Sequence, residues 1–190
     1  SELSQTLADA TKSPAAAAVS SVYDLFVWND AGTIRCTRGP AWSSATARGT
    51  GAGTTELERK NGIYTNKVAI TNGPAANRGT YVGTIATSAS GANGQLNMMF
   101  APAAAAGGTA NRLDVWNMYN RVLVSSLCRD STDTWNYTTA TWRSFNNSTS
   151  NRVTLVLGLN EDAVLALSQA FHSTASAGIN CYSGIGLDST

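Results

Sequence analysis

"DTWNYTTATWRSFNN", residues 133–147, brings together Trp135, Tyr137 and Trp142, with Arg143 next to the last ring and asparagines on either side. Flat rings set among amide, hydroxyl and guanidinium groups have the composition of a carbohydrate site. There a ring stacks on the apolar face of a sugar while polar groups take its hydroxyls. Trp135, Tyr137, Trp142 and Arg143 are therefore the candidate glycan-contact residues. The same rings could instead fill a core, since each tryptophan buries about 150–250 Å² when enclosed. In an unbroken strand Trp135 and Tyr137 share one face and Trp142 opposes them; a turn near residues 138–140 lets the two segments meet. On that reading the tryptophans pack across the turn, and Arg143 and the asparagines after it are the groups to test for exposure.

Residues suited to catalysis are scattered. His172 is the single histidine, and a nucleophilic triad would need it to meet one Ser or Cys and an acid; no nucleophile-elbow pattern accompanies it. It is expected to be exposed or hydrogen-bonded. Asp24, Asp114, Glu161 and Asp162 could pair as a glycosidase acid and base, but spacing along the chain shows no such pair, and Glu161-Asp162 reads more simply as a turn. In "RDSTDT", Asp130 and Asp133 are hard oxygen ligands of the kind that hold calcium, with too few neighbours to complete six or more positions. A turn capped by aspartate side chains is the expected role.

The glycines of "ARGTGAGTT" lack the helix and the Lys-Ser/Thr of a phosphate cradle and predict a mobile surface loop. Cys36, Cys128 and Cys181 are odd in number and far apart, which argues against a disulfide framework or a zinc site and predicts three buried thiols. Asn136, Asn146 and Asn147 each open an N-x-S/T sequon, which matters only on a eukaryotic secretory route. No catalytic, cofactor-binding or metal-binding residue is assigned, and the chain reads as a non-enzyme.

A scaffold must hold these side chains, and composition indicates its class. The 190 residues suffice for one domain with a sizeable core. Thr, Ser, Asn, Gly and Ala are plentiful while Glu, Lys, Leu and Gln are sparse, the balance of strands joined by frequent turns. With 13% charged residues and a net charge of +1, the chain has neither a basic field for nucleic acid nor an acidic tail. No window approaches about 18 consecutive apolar residues, so membrane insertion is not expected. No basic start followed by an apolar run precedes residue 20, so a secretory signal is not expected either.

Residues 1–18 read as an N-terminal arm or linker, with Leu3, Leu7 and Ala10 at helical spacing and Pro14 ending the short helix. Residues 19–190 read as a single domain. In "VYDLFVW", Tyr23, Leu25 and Val27 share one face and Val22, Phe26 and Trp28 the other, which predicts a central strand. "NDAG" is a four-residue connection to the next strand, and Asn61-Gly62 suits a tight hairpin turn. "TYVGTIATS" places Tyr81, Gly83 and Ile85 on one face. "QLNMMF", "RLDVWNMYNRVLVSSL", "RVTLVLGL" (Val153, Leu155, Leu157 and Leu159 inward), "VLALSQAF" and the tail "STASAGINCYSGIGLDST" supply further strands. About nine to eleven short strands between Gly and Asn turns describe an all-β, antiparallel two-sheet β-sandwich of jelly-roll type.

With "YDLFVWNDAGT", "GPAWSSATAR", "NGIYTN", "RGTYVGTIAT", "VWNMYNRV", "DTWNYTTATWR" and "GIGLDST" in view, the chain resembles virion structural proteins of tailed bacteriophages and prophages, described as tail-fibre, tail or head-fibre components. The likeness follows the same order over most of residues 22–190. It implies a β-sandwich displayed on a virion, made in the host cytoplasm, with other virion proteins as partners. It also implies self-association, as a homotrimer where the domain is mounted on a fibre, and a host surface glycan as a further partner. The family offers no catalytic motif to carry over. The "VAITNGPAANRGT" region and the "APAAAAGG" loop depart from the family pattern.

Overall fold

The computed structural model describes residues 3–139, 141–173 and 181–187. The alternation of "VYDLFVW" becomes strand β1 (Val22–Asp30), and β2 (Thr33–Ala41) follows it more closely than a four-residue connection would allow. The turn is Ala31-Gly32, both at positive φ (47° and 95°), and the Gly32 N–H donates to Asn29 Oδ1 at 2.7 Å. A two-residue turn with both φ positive matches the right-handed twist of the strands it joins. Asn61-Gly62 does the same, at φ 50° and 83°, between β3 (Leu57–Lys60) and β4 (Ile63–Asn66). Then come β5 (Thr80–Ala86), β6 (Met98–Met99), β7 (Asn111–Leu113), β8 (Val115–Asn117), a 3₁₀ turn at Phe145–Asn147, and β9 (Val153–Leu155).

The fold is all-β, in two sheets. The larger runs β2-β1-β5-β4-β3, with β8 also paired to β5, and the smaller runs β6-β7-β9. β7 and β9 are parallel; every other strand pairing is antiparallel. β1 is central and apolar on both faces, as its sequence predicts. On one face Phe26, Tyr81 and Trp116 pack with Ile70, Val156 and Leu159, the Tyr81 and Trp116 rings stacked at 5.9 Å. On the other, Tyr23 and Ile85 pack with Ala17, flanked by Leu7, Leu25 and Val115.

A bulge decides which β5 residues join which face. Leu25 pairs with Gly83 but Phe26 pairs with Tyr81, so Val82 is an extra residue in the ladder. One inserted residue reverses the alternation. Tyr81 therefore packs opposite Ile85, correcting the expected shared face of Tyr81, Gly83 and Ile85.

The helix expected in the arm does not form among residues 3–18. Arg38 on β2 donates to the carbonyls of Thr6, Asp9 and Ala15 at 3.2, 3.1 and 2.6 Å, and its own N–H donates to Ser13 Oγ at 3.2 Å. Carbonyls drawn to an inserted guanidinium are not free for a helical ladder. Asp9 closes a local turn by accepting from the N–H groups of Thr11 and Lys12. The arm thus covers the Tyr23 face of the larger sheet.

The last third of the chain departs most from its sequence pattern. Of "RVTLVLGL" only Val153–Leu155 is strand, and the buried residues are Val156 and Leu159, while Val153 and Leu157 are exposed. The reason is Gly158: a Cβ there would collide with the Tyr81 hydroxyl, the Trp116 ring and Thr84 Oγ1, so backbone packs where a side chain was expected. Gly158→Ala is expected to cost about 1–3 kcal/mol by overpacking, read as a lower urea midpoint with an unchanged slope. "VLALSQAF" forms no strand, and the tail strand expected near residues 173–190 lies mostly outside the described residues.

Candidate functional site

The loop carrying the candidate residues is held from within by Asp130. Its carboxylate accepts from the N–H groups of Gly107 (2.9 Å) and Thr132 (2.8 Å) and from Asn151 Nδ2 (2.9 Å). Asn146 Nδ2 donates to Thr132 Oγ1, and Asn151 Nδ2 also reaches the Phe145 carbonyl. This is the aspartate-capped turn expected of "RDSTDT", elaborated into a hub. Its oxygens are turned to N–H donors, while Asp133 is exposed; among the described residues no group of three or more His, Cys, Asp or Glu is placed to hold a metal.

Asn151 first, then Thr132 and Asn146, hold the Asp130 carboxyl well below the usual range. A depressed folded value means that the hub contributes fully above 3.8 and is lost only as the pH falls through that lower value. Carbon-detected NMR titration is expected to show Asp130 still ionised at pH 3.8, where an ordinary aspartate is half protonated. Half-protonation there would contradict the hub.

On this frame the four candidate residues separate. Trp135 is half-buried and meets Phe145 edge-on, centroids 6.1 Å apart; Phe145 in turn lies 6.4 Å from the ring of His172, which is itself exposed. The Tyr137 hydroxyl donates to the Ser144 carbonyl and accepts from the Asn147 N–H at 2.7 Å. Arg143 lies over the Tyr137 ring at 4.9 Å and donates to Thr141 Oγ1 at 2.7 Å. Trp142 stays 78% exposed. The expected packing of the two tryptophans on each other across the turn is not seen. Phe145, at the start of the 3₁₀ turn, takes Trp135, while Trp142 makes no ring contact with it; Asn146 and Asn147, which follow in the turn, have positive φ (53° and 50°). Tyr137 and Arg143 are brought together, both exposed, beside a free indole face.

The carboxylates considered for acid–base work each have a protein partner. Asp24 is fully buried and bound by Arg48 and Thr84. Asp114 is held by Arg112 and the Asn97 N–H. Glu161 accepts from the Tyr64 hydroxyl at 2.8 Å, and Asp162 from Trp116 Nε1 and Arg121. Of the thiols expected to be buried, Cys36 and Cys128 are half-buried and Cys181 is exposed. Cys36 lies on β2, at the edge of the larger sheet, and the other two lie outside the strands.

Sequence reading passed over one further feature. Trp28, at the end of β1 beyond the core, walls two open clefts of about 510 and 460 Å³. One is lined by Asn29 and Arg78, the other by Lys12, Arg35 and Asn72. Its indole N–H is already committed to Thr37 Oγ1 at 2.8 Å. The legible signal was an aromatic continuing the Phe26 parity next to a turn.

No family model, curated protein or solved structure matches the chain. No described helix is long and apolar enough to cross a membrane.

Proposed function

We propose that this chain is a non-enzymatic structural protein of a tailed-phage virion, a fibre or spike head or a capsid-decorating domain, with other virion proteins as its partners. The observation that carries this reading is the loop at residues 133–147, which turns Trp142, Tyr137 and Arg143 outward from a frame held internally by Asp130. Tyr137 and Arg143 are steadied by neighbouring groups of the loop, and the exposed aromatic and cationic groups suit contact. The resemblance of its ordered phrases to those of virion proteins suggests the setting. Immunoelectron microscopy of purified virions carrying a labelled chain is expected to find label on particles; label confined to the lysate would refute the proposal.

A second reading is a receptor-binding, lectin-like module, favoured by the exposure of Trp142 beside the Tyr137–Arg143 pair. Trp142→Ala is expected to change stability by less than about 0.5 kcal/mol, seen as an unmoved melting curve, while abolishing retention on the host glycan that the wild type selects from an array. A blank array for the wild type rejects this reading.

A further inference from the structure

The two clefts at the turn end of β1 have one wall in common. Among the described residues Trp28 alone lines both, and their volumes, about 510 and 460 Å³, fall within the roughly 300–1,000 Å³ of small-molecule sites. The ring is pinned by its N–H, which donates to Thr37 Oγ1 at 2.8 Å, so what it still offers a ligand is a flat apolar face. Trp28 pairs with Arg35 across the ladder, and Asp30, two residues on, shares its face. Arg35 and Asp30 form an ion pair and cancel each other's charge. Lys12 in one cleft and Arg78 in the other enter no ion pair among the described residues. Each cleft thus carries one uncompensated cation.

Two further segments build the walls. Residues 72–78 run past Trp28 and supply Asn72 to one cleft and Arg78 to the other. Asn72 Nδ2 donates to the carbonyls of Ala10 and Ser13 at 3.1 and 3.2 Å, which clasps the arm here and sets Thr11 and Lys12 in the wall. Asp9 fixes the same turn by accepting from the N–H groups of Thr11 and Lys12. The Lys12 cleft is therefore complete only while the arm is docked. Asn29 Oδ1 takes the Gly32 N–H and Asn72 Nδ2 takes the arm, which leaves the Asn29 amide hydrogens and Asn72 Oδ1 for a ligand's hydroxyls.

An apolar ring face, two separate cations and spare amide groups match a sugar ring that bears a carboxylate. A neutral sugar would use neither cation. A nucleic acid would need a run of cations along its phosphates, and the net charge of the chain is +1. We propose that the clefts around Trp28 bind an acidic saccharide, a short chain of uronic-acid rings, with a ring stacked on the indole and carboxylates meeting Lys12 and Arg78. The site shares no residue with the 133–147 loop and does not rest on the virion reading. Because the arm supplies part of the wall, a ligand bound there holds the arm in its docked form.

Nitrogen-15 NMR of the whole chain with trigalacturonic acid is expected to shift the Trp28 indole signal and the amide signals of Lys12 and Arg78. Hydrogen exchange in residues 10–13 is expected to slow in the complex. Maltotriose, a neutral trisaccharide, and the double variant Lys12→Gln, Arg78→Gln are each expected to weaken binding about tenfold or more, the loss of charge-assisted hydrogen bonds. The melting curve of the variant is expected to stay in place; if it falls, Arg78→Gln alone, at an exposed residue, is read by the same criteria.

An unmoved Trp28 signal, maltotriose bound as tightly as the acid, or a variant that binds like the wild type would each overturn the proposal. So would displacement by citrate at equal carboxylate concentration, which would reduce the site to a general anion site. A shift centred on Trp142 would place the sugar on the loop and overturn it as well. Unchanged exchange in residues 10–13 would refute the coupling to the arm. Failure of this site leaves the virion reading standing, and label confined to the lysate would leave this site standing.

Discussion

Arg48→Met is expected to destabilise the chain by about 3–5 kcal/mol, the loss typical of stripping one partner from a buried ion pair. Arg48 binds Asp24 at 2.6 and 3.2 Å, donates to the Gly158 carbonyl, and lies over the Trp42 ring at 4.3 Å. One side chain thus ties β1, the 42–56 loop and the 156–159 segment together. Asp24 also accepts from Thr84 Oγ1 at 2.6 Å, and Thr84 meets the Tyr81 hydroxyl at 2.6 Å. Without Arg48 this carboxylate, on the Phe26 face of β1, keeps one hydroxyl partner and no countercharge. Equilibrium urea unfolding measures the loss; a drop under about 1 kcal/mol would show that the pair contributes no more than an exposed one.

The pH dependence follows from the same geometry. Burial pushes the Asp24 carboxyl above 3.8 against the pull of Arg48 and Thr84. An acid with a raised folded value contributes most below 3.8, and that contribution declines as the pH rises through the folded value. Removing Arg48 raises the value further, so the deficit of Arg48→Met relative to wild type is expected to shrink on acidification toward 3.8. A deficit that is constant or grows in acid would contradict this assignment.

Arg38→Ala is the second large effect, expected at roughly 2–4 kcal/mol because three hydrogen bonds from a buried charged group are lost and the carbonyls of Thr6, Asp9 and Ala15 lose that donor. Arg38 is 2% exposed and is the post around which residues 6–15 wrap, also stacking over Tyr23 at 5.3 Å. The loss should be local: hydrogen exchange in residues 7–17 should rise sharply while β4 and β5 stay protected. Arg38→Lys keeps the charge but loses the planar fork that reaches three carbonyls, so it is expected to recover only part of the stability. Uniform deprotection of the whole chain would show that the arm and the sheet unfold together.

Both effects were hard to read in the sequence. Asp24 sits in an apolar alternation and Arg38 in a strand of mixed character, and neither has a partner nearby in sequence. Asp24 meets Thr84, 60 residues on, and Arg48 reaches Gly158, 110 residues on. The candidate loop was legible in composition but not in arrangement. The rings, the arginine and the Asp130 turn were recognised; that Phe145 rather than Trp142 would take Trp135 depended on the path of the backbone from 135 to 145, which strand parity does not give. The parity of "RVTLVLGL" misled because Gly158 brings backbone against Tyr81 and Trp116, and a glycine leaves no mark in a count of apolar side chains.

What could be read without coordinates was local: an all-β chain, the Asn61-Gly62 hairpin, and a first strand apolar on both faces. Each depends on a period of two or on a φ preference, properties that act over two to four neighbouring residues. Packing set the rest: the Val82 bulge that sends Tyr81 and Ile85 to opposite faces, the winding of the arm around Arg38, the burial of the Asp24–Arg48 pair, and the outward turn of Trp142. These depend on which distant surfaces meet, and the free energy of burying a group is defined only once its neighbours are in place.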